Sequence, residues 1–158
     1  MLKKLKLFMA GAIMTTIIDK FNEFSDSQAF TTGANTSTYS FDTKGADIGS
    51  GEDTYLVIQA DVTCTSGGAS TVAFAYVQSD NADLSAATKL YETAAIGYAT
   101  LVAGYQVVKM KIPANTKRYV GVIYTVAAAD LTAGKFSAFL CKNITDTKTR
   151  IPAAGYTI

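Results

Sequence analysis

Read as alternating apolar and polar positions, the chain resolves into short strands rather than helices. The clearest stretch is Tyr105–Val126. Val108, Met110 and Ile112 fall on one face of a first segment, and Lys109 and Lys111 fall on the other. A second segment, from Tyr119 to Val126, is apolar on both faces. This predicts a strand with one wet side lying beside a strand buried on both. Between them, Pro113 has no N–H to give a ladder and Asn115 tolerates left-handed dihedrals, so the pair is expected to close as a hairpin.

The same reading extends along the chain. Thr54–Val62 and Thr71–Gln78 are predicted as strands joined into a second hairpin through Gly67–Gly68. Weaker strands are expected at Thr38–Phe41, Thr88–Thr93 and Lys135–Lys142, and Asp19–Phe30 is an opening strand or loop. Thr31–Ser37, Asp42–Asp53 and Ala127–Gly134 read as turns, and Ser79–Ala87 as a single helical turn capped by Ser79 or Asp80. Ala94–Gly104 is small, apolar and partly buried. About eight strands at this spacing predict an all-β antiparallel sandwich over residues 19–142.

Arms are expected at both ends. Residues 143–158 carry Pro152 and Gly155 and read as an irregular tail. Residues 1–18 begin with Lys3, Lys4 and Lys6 and continue in an uncharged run, Leu7–Ile18, too short to span a bilayer. A secretory signal would fit that charge order, but no clear small-x-small cleavage site follows it, and an arm docked on a partner is the reading preferred. Leu2, Lys3, Lys4, Leu5, Lys6 and Phe8 are the expected contact residues there, with Lys109, Lys111, Lys117 and Arg118 as further candidates.

Composition narrows the chemistry. The 158 residues hold 14 basic and 13 acidic side chains, so no overall field draws the protein to nucleic acid. There is no histidine, which removes the commonest general base and the Ser-His and Cys-His nucleophile pairs. No nucleotide-binding or metalloprotease motif occurs, and no cofactor or enzymatic activity is expected. The acidic loop Asp42–Asp53 invites a calcium reading, yet it lacks an EF-hand's spacing. Cys64 and Cys141 read as small buried hydrophobes rather than a bridge. Seven tyrosines (Tyr55, Tyr76, Tyr91, Tyr98, Tyr105, Tyr119 and Tyr124) leave room for a second reading, a small carbohydrate-binding sandwich used in host attachment.

Several segments occur in an order that resembles a known family. They are FSDSQAF (Phe24–Phe30), ADIGSGE (Ala46–Glu52), TYLVI (Thr54–Ile58), TLVAGYQ (Thr100–Gln106), IPANTKRYVGVIYTV (Ile112–Val126) and LTAGKFSA (Leu131–Ala138). Together they resemble the Bordetella-phage-type capsid cement proteins of tailed bacteriophages, over about Ile17–Lys142. The resemblance implies a jelly-roll-like fold on the outer surface of a virion, bound to the major capsid protein and to copies of itself as a dimer or trimer. It implies a clamp that stiffens the shell, with no enzymatic activity; neither nucleic acid nor membrane is expected as a partner. Residues 1–13 depart from the family's pattern, in which the chain starts near the Ile17–Asp26 stretch.

Overall fold

The computed structural model describes residues 20–51, 53–114 and 116–142. After a 3-10 turn at Lys20–Asn22, ten strands follow: β1 (Glu23–Gln28), β2 (Gly33–Thr36), β3 (Phe41–Asp42), β4 (Tyr55–Ser66), β5 (Thr71–Ser79), β6 (Thr88–Glu92), β7 (Ile96–Gly97), β8 (Gln106–Lys111), β9 (Tyr119–Ala127) and β10 (Leu131–Cys141). They build two antiparallel sheets. The first has the order β1-β10-β4-β8, and the second β2-β9-β5-β6 with the two-residue strands β3 and β7 added to β9 and β5.

That order is a jelly roll. The antiparallel pairs β5·β6, β4·β8, β2·β9 and β1·β10 nest inside one another like the rungs of one long hairpin. Successive rungs alternate between the sheets, which wraps the hairpin around a single core. The expected all-β sandwich is therefore present, and its eight longer strands account for the fold.

The core is the layer between the sheets. Leu56, Ile58 and Ala60 of β4 and Phe136, Ala138 and Leu140 of β10 face Val72, Phe74 and Tyr76 of β5 and Val120, Val122, Tyr124 and Val126 of β9. The alternation that places them is the period-2 pattern legible in the sequence. At its centre Phe30 stacks on Tyr124 and Phe136, with ring centroids 4.7 and 5.1 Å apart, and Phe74 meets both rings edge-on. Burying each such side chain contributes about 1.5–3 kcal/mol, so this group anchors the two sheets. The Tyr124 hydroxyl, also buried, donates to Ser25 Oγ at 2.8 Å, and Ser25 donates in turn to Gln28 Oε1 at 2.7 Å. Burial pushes the Tyr124 phenol well above its ordinary pKa, so it stays a donor.

The two expected hairpins are not formed. β8 pairs with β4 in the first sheet, while β9 pairs with β5 and β2 in the second. Likewise β4 and β5 lie in opposite sheets. All four segments are strands, although β4 runs on to Ser66, past the expected end at Val62, and β8 and β9 show the expected one-faced and two-faced burial. Their partners are not the expected ones, because residues 112–118 and the Gly67–Gly68 link are long enough to carry the chain across the roughly 10 Å between sheets. An amphipathic strand such as β8 suits a sheet edge, and a strand apolar on both faces such as β9 suits a sheet centre.

Among the described residues, the β5–β6 connection joins two longer strands that pair with each other, and it is not helical. Leu84 and Ala86 adopt φ of 59° and 51°, which breaks any helical turn. Ser79 Oγ accepts from the Asn81 N–H at 3.0 Å and donates to the Ser85 carbonyl at 2.7 Å. Leu84 then folds down on the outer face of the second sheet, against Ala75 and Val77. Beneath it lies Gly121, where any Cβ would collide with the leucine side chain. The expected loop at Thr31–Ser37 contains β2, which pairs through its backbone with β9 while its polar side chains show no apolar alternation. The last strand begins at Leu131 rather than Lys135, and the strand expected at Thr38–Phe41 is shortened to β3.

Candidate partner-binding surface

One end of the sandwich gathers the connections 43–54, 80–87 and 112–118. Three of the sequence-predicted cations lie here, and each is held by an acid from a neighbouring segment. Arg118 donates two parallel hydrogen bonds to Asp42, from Nε to Oδ1 at 3.0 Å and from a terminal nitrogen to Oδ2 at 3.1 Å. Its guanidinium also lies 5.1 Å from the Tyr119 ring centroid. Lys117 pairs with Asp80, and Lys111 pairs with Asp53. The bidentate geometry fixes Arg118 in orientation as well as position.

The charges tune one another. The Arg118 guanidinium beside Asp42 holds that carboxyl below the usual carboxylate range, and the Lys111 ammonium does the same for Asp53. Lys111 and Arg118 are raised reciprocally. Backbone contacts complete the clasp. The Ile112 N–H donates to the Thr54 carbonyl at 3.0 Å, Thr43 N–H to the Arg118 carbonyl at 2.8 Å, and Lys117 N–H to Gln78 Oε1 at 2.9 Å. Gly49 packs directly on the Pro113 carbonyl, where no Cβ fits.

Lys109 lies apart from these three. It stands half-buried on the outer face of the first sheet, opposite Val57. Leu2, Lys3, Lys4, Leu5, Lys6 and Phe8 lie outside the described residues, as do the expected tail and the turn residue Asn115. The acidic loop read as a calcium candidate spends Asp42 and Asp53 on Arg118 and Lys111, and among the described residues no group of three or more acids and cysteines converges as a metal site.

The tyrosines do not gather into a sugar platform. Tyr76 and Tyr124 are core residues, and of the two most exposed of the seven, Tyr91 lies on β6 of the second sheet while Tyr105 precedes β8 of the first. Exposed apolar side chains occur instead where the segment 101–105 runs along β4. There the Cys64 N–H donates to the Leu101 carbonyl and Gly104 N–H to the Ala60 carbonyl, which brings Val62, Val102 and Tyr105 to the surface. No alternation signals this patch, because it depends on an irregular segment lying beside a strand. A small cleft of about 150 Å³ opens among Phe41, Ile48, Thr54, Leu140 and Cys141. Both cysteines are free, and burial pushes the Cys141 thiol up and Cys64 to about 11, so neither is a poised nucleophile. Among the described residues no helix is long and apolar enough to cross a membrane.

The chain is thus a jelly-roll β-sandwich whose connections at one end are joined by ion pairs. The chain belongs to the Bbp16 family, a Bordetella phage family whose model matches residues 24–140 and so runs from the first long strand to the last. No curated protein matches the chain.

Proposed function

We propose that this protein is a capsid decoration protein, which binds the outer surface of a phage head and clamps neighbouring copies of the major capsid protein. One observation carries the reading: the match to a phage family coincides with the whole jelly roll rather than with a local motif. What the family shares is thus the whole β-sandwich. The ion pairs Arg118–Asp42, Lys117–Asp80 and Lys111–Asp53 support it by tying the connections at one end of the sandwich together. Self-association at a symmetry axis of the shell, as a dimer or trimer, belongs to the same reading.

The test is removal. Virions lacking this protein should assemble but lose infectivity faster on heating and under osmotic shock, and adding the purified protein back should restore them. Full resistance in its absence would overturn the proposal. A few copies at the tail tip, with heads left bare, would favour host attachment instead.

A further inference from the structure

The connection between β5 and β6 puts strain and burial on the same few residues. Leu84 and Ala86 stand at φ of 59° and 51°, the left-handed region that side chains enter at a cost and glycine enters freely. The polar side chains around them bond mainly to one another. Ser85 donates to Asp83 Oδ1 from its N–H at 2.9 Å and from Oγ at 2.7 Å, and Asn81 Nδ2 donates to Ser85 Oγ at 3.0 Å. Such bonds fold the connection on itself without holding it to the sheet below. Leu84 holds it there, 4% exposed against Ala75 and Val77, with Tyr119 and Ile123 packed at the margin. The seat depends on glycine at position 121, since a Cβ there would meet both leucine methyls. Two further ties are polar and exposed: Ser40 Oγ donates to the Ala82 carbonyl at 2.6 Å, and Asp80 pairs with Lys117.

We propose that residues 80–87 form a strained latch, which opens locally to lift Leu84 off its seat over Gly121 and uncover an apolar socket on the outer face of the second sheet. Two left-handed residues cost about as much as one buried leucine contributes, so the closed and open states lie close in free energy. Opening releases the strain and leaves intact the β5·β9 ladder, which runs from Thr71–Ala127 to Ser79–Tyr119. Reburial of Leu84 closes the latch again.

Cys64 supplies the comparison for a test, since it is buried to the same degree, 3% exposed, but inside the core. In the full chain carrying Leu84→Cys, maleimide labelling is followed at each thiol by peptide mass. The introduced thiol is expected to label at least about tenfold faster than Cys64, at a rate that low urea leaves unchanged, while labelling of Cys64 climbs with urea as global unfolding does. Adding Ala86→Gly, which removes strain from the closed state, should slow the introduced thiol several-fold. Relaxation dispersion on methyl groups of the unsubstituted protein guards against loosening by the cysteine itself. Leu84, Val77 and Ile123 should share one exchange process that Val122 and Leu140 lack. Labelling with the rate and urea dependence of Cys64, a rate that Ala86→Gly leaves unchanged or raises, or flat dispersion at Leu84, Val77 and Ile123 would each overturn the proposal.

Discussion

Leu84 bears more than its place in a surface turn suggests. It occupies left-handed dihedrals that a γ-branched residue adopts at a cost, and it is repaid by burial to 4% exposure over Gly121. Leu84→Ala should destabilise the protein by about 2–3 kcal/mol, the low end of buried leucine truncations, and lower the thermal midpoint by roughly 4–10 °C. Gly121→Ala should cost less, because its Cβ meets the terminal methyls of the leucine, which can swing aside. Combined, the two should cost clearly less than their sum, because each removes what the other loses. A strictly additive double mutant, followed by calorimetry, would mean that the two side chains do not share a site. Tyr124→Phe tests the core's polar seam: loss of the hydroxyl that donates to Ser25 should cost about 1 kcal/mol, read as a lowered denaturation midpoint with an unchanged slope.

Among the elements, the connection between β8 and β9 carries the chain from the edge strand of one sheet to a central strand of the other. Its ion pairs are exposed, so their contribution depends on salt and pH more than on burial. Asp42 and Asp53 have folded pKa values below their unfolded value of about 3.9. Their stabilisation is therefore fully present above that value and is lost as pH falls below about 4 through the folded pKa. Arg118→Gln should return the Asp42 carboxyl toward its ordinary value in an NMR titration and shrink the acid-side loss of stability, while leaving neutral-pH folding intact. An Asp42 titration unmoved by that substitution would show that Arg118 is not its partner. The same connection shows how far the sequence reaches. Periodicity revealed β8 as one-faced and β9 as two-faced, because side-chain burial is written at single positions. It could not reveal that they lie in different sheets, because pairing is settled by β4 and β5, remote in the chain. The cations at 111, 117 and 118 were visible as cations, but their acids at 53, 80 and 42 come together only once the jelly roll closes. Leu84 was invisible for a related reason: a lone apolar residue in a polar turn carries no period.

At the scale of the whole molecule, the protein is a nested hairpin rolled into two sheets, stiff at the end where three connections are clasped together. Val62, Val102 and Tyr105 stand exposed where the segment 101–105 runs along β4, away from the ion pairs. If the molecule is a clamp, exposed apolar side chains offer a docking face more readily than cations already bound to their own acids. Val102→Asp paired with Tyr105→Ser should then lower occupancy on particles without changing the thermal midpoint, whereas Lys117→Ala should change occupancy little. Equal occupancy of the double variant, measured by gel densitometry of purified virions, would move the contact elsewhere.

The central claim is a location, and cryo-electron microscopy of the intact virion tests it most directly. The account predicts this jelly roll in many symmetry-related copies on the outer surface of the head, each bridging neighbouring major capsid protein subunits. Heads with no such density, or density confined to the tail, would contradict it.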